Sequence, residues 1–174
     1  MAASATKCIN CGAAAKSRRQ AYRYEESGLP NLVLEGVAVT KCAACGESAV
    51  AIPRLARIHT AIARALLTSP RRLSGPQFRF LRKQLGFSGE ELAKYLHTDK
   101  TKISKWERDE DPIGPATDRL MRLVVHSLAA GKFGRASAIA AHLPQISNEA
   151  GDGLDLHVDA EDLNAWFEPV RKVA

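Results

Sequence analysis

The four cysteines of this chain form two pairs with metal-binding spacing. Two residues separate Cys8 from Cys11 and Cys42 from Cys45, and a glycine follows each pair. Two such pairs, brought together in space, supply the four thiolates that structural zinc prefers, and the glycines free backbone N–H groups to reach the sulfurs. We therefore predict one structural Zn²⁺ ion per chain. Its predicted ligands are Cys8, Cys11, Cys42 and Cys45.

Other roles for these cysteines fit the pattern less well. A redox dithiol needs one pair at a strand–helix junction rather than two matched pairs. Catalytic zinc keeps an open coordination position and usually has His or Glu ligands, whereas the nearest histidine, His59, lies in an amphipathic helix where a surface position is expected. Free surface thiols are the remaining alternative. Because so short a segment buries little apolar surface, the metal should supply much of its folding energy.

Two strand-like runs lie between the cysteine pairs. Ala21–Glu25 and Leu32–Thr40 are rich in aromatic and β-branched residues, and Ser27–Asn31 between them is rich in turn formers. They predict a small β-containing, zinc-binding domain with four cysteine ligands in residues 1–51.

A linker helix is predicted next, in residues 52–70. Pro53 opens it, since proline suits the first helical turn, and it ends at about Leu67. Its apolar side chains recur at helical spacing and are Leu55, Ile58, Ile62 and Leu66. Two interpretations of this face stay open, because it could pack in the core of the chain or form the seam of a dimer.

Residues 71–131 predict a compact helical unit. A first helix with Phe78, Leu81 and Leu85 on one face ends at Gly86. Ser88 and Glu91 have the spacing of a capping box for the second helix. The second helix turns Leu92, Ala93 and Leu96 inward, Thr98 or Asp99 caps the third helix, and Gly131 is a candidate C-cap for the last one.

The third helix of this unit, Lys100–Arg108, has a polar outer face opposite Ile103 and Trp106. Its hydrogen-bond donors are Lys100, Thr101, Lys102, Ser104 and Lys105. A helix of this kind fits the major groove of DNA, although an ordinary helical hairpin with a lysine-rich solvent face is the alternative. The charge favours a polyanionic partner, since residues 53–110 hold 13 Lys and Arg against 6 Asp and Glu.

The segment Phe78–Leu128 contains the motifs F-L-R-K-x-L-G-F-S-x-E-E-L-A and I-S-K-W-E. With them it resembles the Xre-type helix-turn-helix of phage repressors and bacterial regulators. The resemblance implies a five-helix, lambda-repressor-like domain with a structural ion pair between Arg82 and Glu107. The base-reading residues that it implies are Lys100, Thr101, Lys102 and Lys105.

Phosphate contacts are expected around this helix. The expected set is Arg71, Arg72, Arg79, Ser88 and Ser104, with Lys102 also able to support phosphate. Two positions depart from the family pattern. Gly89 stands where Gln often contacts phosphate, so backbone N–H groups would have to replace that contact, and His97 stands where Gly is common in the turn.

The cysteine segment has a resemblance of its own. Two C-x-x-C-G units with thirty residues between Cys11 and Cys42, and a strand pair containing Y-x-Y and L-V-L-E-G-V, are similar to the YgiT/MqsA-type zinc domain. In that family the domain precedes an Xre-type domain in the same order, so the combined resemblance covers about Thr6–Leu128. It implies an antitoxin whose zinc domain binds a toxin and whose dimer represses its own operon.

Residues 132–174 lie outside both resemblances. They predict a C-terminal α/β extension with a short helix at Ala136–Leu143, a loop at Asn148–Gly153, a strand around Leu154–Val158 and a helix capped by Asp159. Seven acidic residues and no Lys or Arg lie between Glu149 and Glu168. The role of this extension is open, and with the linker helix and the helix around Leu120–Leu128 it is a candidate dimer surface.

Composition and missing motifs narrow the function. The chain has no run of about 18 apolar residues and no signal-peptide core, so we expect a cytoplasmic protein with no membrane partner. We find no nucleophile–base arrangement, phosphate loop or open metal site, so we do not expect an enzyme.

The prediction is a homodimeric repressor of a palindromic DNA operator, and an antitoxin if the second resemblance holds. The alternative is a protein-interaction module whose zinc domain or tail binds a toxin or another partner, with DNA binding secondary.

Overall fold

The computed structural model describes residues 5–129, 143–146, 156–161 and 163. A sheet at the cysteine end is followed by five α-helices, so the predicted fold class, mainly α with a small β-containing cysteine domain, is confirmed. The strands are β1 (Ala5–Lys7), β2 (Ala14–Arg23), β3 (Leu32–Cys42), β4 (Ser48–Ala51) and β5 (Leu156–Asp159). The helices are α1 (Leu55–Thr68), α2 (Gly75–Gln84), α3 (Gly89–Tyr95), α4 (Lys100–Glu107) and α5 (Pro115–Leu128).

The long antiparallel hairpin of β2 and β3 forms the centre of the sheet. β1 flanks β2, while β4 and β5 share the other edge of β3, with β4 antiparallel and β5 parallel to it. The register shifts between Gln20 and Tyr22, where β3 holds one extra residue and Gly36 has a φ of 72°. This bulge keeps Leu34 and Val37 on one buried face of the sheet.

Both strands predicted between the cysteine pairs are present, but β2 is longer than its pattern indicates. It begins at Ala14 rather than Ala21 and ends at Arg23. Its first half is held by backbone pairing with β3 while most of its side chains are exposed, so it has no apolar alternation to recognise. The chain reverses earlier than the predicted turn Ser27–Asn31, through a 3-10 turn at Glu25–Ser27 that Gly28 closes with a φ of 74°, and Asn31 has a positive φ of 60° just before β3.

The linker helix begins two residues later than predicted. Arg54, with a φ of 51°, is the N-cap of α1, so Pro53 lies before the helix instead of opening it. Ile58, Ile62 and Leu66 are fully buried within the same chain, whereas Leu55 is 40% exposed. The core interpretation of this face is confirmed for the three buried residues, and the dimer-seam interpretation is wrong for them.

One apolar core joins the sheet to the helices. It extends from Leu34 on β3 through Ile62 on α1 to Phe78 on α2 and Val125 on α5, and it includes Val158 on β5. At the other end of the sheet the buried residues Cys8, Ala15 and Cys42 form a separate small cluster. Apolar packing therefore holds the half of the sheet near α1 far better than the cysteine end.

A buried ion pair fixes the end of α1 to α5. The side chains of Arg122 and Asp118 are fully buried, and Nε of Arg122 donates to Oδ2 of Asp118 at 2.9 Å. Asp118 also accepts the backbone N–H of Leu73 at 2.7 Å. The guanidinium donates further to the backbone carbonyls of Leu66, Leu67, Ser69 and Arg71. These carbonyls lie at or just past the end of α1, where few helical N–H donors remain, and the guanidinium supplies donors to them.

The C-terminal extension returns to the sheet. The strand predicted around Leu154–Val158 is observed as β5, and α5 ends at Leu128 with Ala129 at its C-cap. The prediction of Gly131 as the cap of this helix is therefore wrong. The helix predicted from Asp159 does not begin there, because Ala160 and Glu161 form a bend, and the rest of that segment falls outside the described residues except Leu163. The predicted helix at Ala136–Leu143 and the loop at Asn148–Gly153 also fall outside the described residues, apart from a 3-10 turn at Leu143–Gln145. None of the helices in the described ranges has the length and apolar character needed to span a bilayer.

Candidate metal centre and nucleic-acid interface

Two matching loops position the four cysteines. In the β1–β2 loop the N–H of Gly12 donates to the carbonyl of Cys8 at 3.0 Å, and in the β3–β4 loop Gly46 does the same to Cys42 at 3.0 Å. The two glycines have φ of 72° and 75°, a conformation that costs glycine little. The glycine after each cysteine pair therefore closes the loop that presents the thiols.

The thiol groups lie at distances that suit one tetrahedral metal ion. The Sγ atoms of Cys8 and Cys45 are 3.6 Å apart, as are those of Cys11 and Cys42, and all four sulfurs lie within 4.8 Å of one another. A tetrahedron with Zn–S bonds of about 2.3 Å has S–S edges of about 3.8 Å. Hydrogen bonds from the backbone N–H groups of Cys45 and Ala44 lower the pKa of the Cys42 thiol to about 7. The N–H of Ala13 lowers the pKa of the Cys11 thiol, but hydrogen bonds with Cys45 and Cys42 raise it overall to about 12. The four cysteines can therefore hold a metal ion.

His59 lies away from the cysteines and joins three elements. Its Nε2 is 3.0 Å from the hydroxyl of Tyr24, which directly follows β2, and its ring stands edge-on to Phe80 of α2. Burial lowers the pKa of His59, which favours the neutral ring. The expected surface position holds only in part, because His59 is half-buried where Tyr24 and Phe80 contact its ring.

Local capping signals set the starts of the two helices on either side of the predicted turn, α3 and α4. The hydroxyl of Ser88 accepts the N–H of Glu91 at 3.1 Å, and the Glu91 carboxylate accepts the N–H of Ser88 at 2.7 Å, which confirms the capping box. Of the two candidate caps for α4, Asp99 is the one that accepts the N–H of Lys102, at 2.9 Å. His97 takes the positive φ that this turn requires, 53°.

Arg82 and Glu107 hold the C-terminal end of α4 against α2. The guanidinium makes two parallel contacts with the carboxylate, Nε to Oε1 at 2.5 Å and Nη2 to Oε2 at 3.0 Å. Its Nη1 donates to the carbonyl of Phe87 at 2.5 Å, just before α3. One half-buried side chain thus ties α2, the turn before α3 and α4 together.

A second contact that fixes the position of α4, between Gly75 and Asp109, could not be predicted from the sequence. The N–H of Gly75 donates to Oδ1 of Asp109 at 2.6 Å. A Cβ on Gly75 would meet the carbonyl oxygen of Trp106 at 2.4 Å. Only glycine allows the start of α2 to approach the end of α4 this closely. Asp109 itself has a φ of 55°, a conformation that Asp tolerates better than most residues.

Some polar side chains on the outer face of α4 are exposed, whereas others form hydrogen bonds or ion pairs within the chain. Lys100, Thr101 and Lys105 are exposed. Lys102 forms an ion pair with Asp111 and lies 5.9 Å from the centre of the Trp106 ring. The hydroxyl of Ser104 accepts a hydrogen bond from Arg108. The three exposed residues are therefore placed to contact another molecule without breaking a hydrogen bond or ion pair within the described part of the chain.

The residues expected to contact DNA phosphates differ in their exposure and in their contacts within the chain. Arg71 and Arg79 are exposed, with Nε of Arg79 at 4.0 Å from Glu107. Arg72 is half-buried, and its guanidinium donates to the carbonyl of Ile113 at 2.9 Å. The Ser88 hydroxyl serves the capping box, and Gly89 at the start of α3 offers only backbone. Arg72 therefore has a clear structural task, connecting the start of α2 to the segment before α5.

Comparison with known proteins supports the class that this geometry defines. A family model described as helix-turn-helix matches residues 78–123, which cover most of α2, all of α3 and α4 and the first nine residues of α5. No curated protein and no solved structure matches the chain. The chain therefore carries a DNA-binding helix-turn-helix unit of the kind found in transcription regulators, together with a cysteine cluster that can hold a metal ion.

Proposed function

We propose that this protein is a sequence-specific transcriptional repressor that reads its operator with α4. The observation that carries the proposal is the polar face of α4, which Arg82–Glu107 and Gly75–Asp109 hold in place and which leaves Lys100, Thr101 and Lys105 exposed. Lysine and threonine donors in the major groove can read base edges. Arg71 and Arg79 are exposed and contact phosphate, Arg79 from a position on α2 next to Glu107 of α4. Lys102, Ser88 and Ser104 add further phosphate contacts.

The proposed repressor binds as a homodimer through the outer face of α5. The inner face of that helix buries Met121 and Val125, but Leu120, Leu123 and Leu128 are 41%, 42% and 43% exposed. Leu120 and Leu123 are one helical turn apart on the outer face, so they form an apolar patch that a second copy of the chain would cover. Leu128 instead borders the cleft that His59 and Val125 line. A two-fold symmetric dimer presents two copies of α4, which requires an operator with two inverted half-sites.

The cysteine cluster has a structural task in this proposal. Four thiolates and no open position suit a Zn²⁺ ion that fixes the two loops rather than one that performs chemistry. Residues 1–51 then form the metal-binding part, 52–70 the linker, and 71–131 the DNA-binding part. The likeness of residues 6–51 to the zinc domain of YgiT/MqsA-type antitoxins extends the proposal to autorepression of an operon that includes a toxin gene, with the toxin as partner of the zinc part.

The substitution Lys105→Ala tests the base-reading role of α4. It should weaken binding to the operator by about 1–3 kcal/mol, roughly 5-fold to 150-fold, because a lost base contact is not replaced by solvent. Binding to random DNA should weaken much less. Fluorescence anisotropy titrations of both duplexes at one salt concentration measure the two changes.

Lys83→Ala is the matched control, since it removes an equal charge from an exposed residue of α2, outside the reader helix. It should change the affinities for operator and random DNA by the same small factor. Equal losses on both duplexes for Lys105→Ala would exclude a base-reading role for this residue.

A further inference from the structure

Four basic side chains share one side of the sheet near the cysteine end. The register pairs Lys7 with Ala14, Lys16 with Lys41, and Arg18 with Val39. Paired residues on neighbouring strands point to the same side, and so do alternate residues along one strand. All four side chains therefore project from one side, and all four are exposed. This basic sheet face consists of Lys7, Lys16, Arg18 and Lys41.

The thiols do not neutralise this face. Ala15 and Cys42 form the next pair along the hairpin, so they point to the opposite side of the sheet. Glu47 lines a cleft with Ala15, Thr40 and Ala49, which also face that opposite side. Of the basic sheet face only Lys7, on the short outer strand β1, borders this cleft as well. The negative charge at the cysteine end is thus directed away from Lys16 and Lys41.

The basic sheet face also lacks partners within the part of the chain that the structure describes. No ion pair or hydrogen bond engages these four side chains there, whereas Arg19 and Arg23, on the other side of β2, pair with Glu161 and Glu25. Lys16 and Lys41 stand directly opposite each other, an arrangement of like charges that destabilises a sheet. An anionic partner that binds between them would relieve this repulsion.

We propose that the basic sheet face binds the phosphate backbone of the DNA that α4 reads, as a second contact surface outside the helix-turn-helix unit. The proposal rests on the proposed function, which supplies the polyanion. Lysine and arginine rows bind phosphates without reading sequence, and each phosphate neutralised makes binding more salt-dependent. The metal centre then acts in DNA binding by holding the hairpin that carries these residues.

The test compares two double variants of β2 in the full chain. Lys16→Gln/Arg18→Gln removes two charges from the basic sheet face, and Arg19→Gln/Arg23→Gln removes two from the other side of the same strand. The slope of log affinity against log salt on the operator duplex should become shallower by about 1.8 for the first variant, at about 0.9 per lost phosphate contact. The second variant should keep the wild-type slope.

Thermal melts of both variants verify folding, and Lys16→Gln/Arg18→Gln should melt no lower than wild type, because it removes the repulsion with Lys41. A wild-type slope for this variant would overturn the proposal and would direct attention to an acidic protein as the partner. Equal slope changes for both variants would overturn it too, because the effect would then be one of net charge. Neither of these two slope results contradicts the proposed function if Lys105→Ala weakens operator binding as predicted. If the wild-type protein does not bind DNA at all, both the proposed function and the role of the basic sheet face are wrong.

Discussion

Replacing Arg122 by alanine should lower the free energy of unfolding by about 3–5 kcal/mol. The substitution leaves the carboxylate of Asp118 buried without its cation and removes the donors for the carbonyls at the end of α1. Folded domains are stable by only about 5–15 kcal/mol, so the loss takes away a large part of the total. Urea denaturation followed by tryptophan fluorescence measures it, since Trp106 packs edge-on to Phe78 in the core.

The control for this prediction is Arg119→Ala on the same helix. Arg119 donates to the carbonyl of Leu143 at 3.2 Å from a half-buried position, so its removal should cost no more than about 1 kcal/mol. Arg122→Lys keeps the charge but has too few donors for the same carbonyls, and it should fall between the two. This variant also serves if Arg122→Ala does not fold. Equal stabilities for Arg122→Lys and Arg119→Ala would show that the buried network contributes little.

Removing the metal should unfold the cysteine end of the sheet and leave the rest folded. Near the thiols only the small cluster of Cys8, Ala15 and Cys42 is buried among the described residues, so little other than the metal holds the two loops. Leu34 and Val37 belong to the main core and should keep their half of the hairpin in place. With a zinc chelator we expect a loss of β-sheet signal in circular dichroism and rapid tryptic cleavage after Lys16, Arg18 and Lys41.

A variant with two thiols removed distinguishes this effect from side effects of the chelator. Cys8→Ser/Cys11→Ser should show the same cleavage pattern without chelator, because two of the four ligands are gone. The melting transition of the helices should persist in both cases. Unchanged circular dichroism and unchanged protease resistance after complete metal removal would refute the structural role of the metal.

The parts of the fold that the sequence made predictable are those set by neighbouring residues. Ser88 and Glu91 are three positions apart, and Asp99 caps the helix that begins at the next residue, so capping rules are sufficient to find both ends. The two cysteine loops were predictable for the same reason, because each loop is closed by the glycine that directly follows its own cysteine pair.

The parts that could not be predicted depend on residues far apart in the chain. From the sequence alone, Arg122 would be expected on the exposed face of a helix. In the structure it is buried because the end of α1, more than 50 residues earlier in the chain, packs against it. Gly75 does not lie in a turn. Only glycine fits at this position because the backbone carbonyl of Trp106 comes too close for a Cβ atom, and this contact is not visible in the sequence. The apolar face of α1 has the same helical spacing whether it meets a core or a second chain, so periodicity alone left both interpretations open.

The central claim is that α4 reads a specific DNA sequence, and selection of binding sites from a random duplex pool tests it most directly. The full-length, zinc-loaded protein should enrich one motif made of two inverted half-sites, about one helical turn apart between their centres. The same selection with Lys105→Ala should enrich that motif weakly or with altered bases in each half-site. A wild-type pool that binds yet stays random in sequence after repeated rounds would contradict the claim.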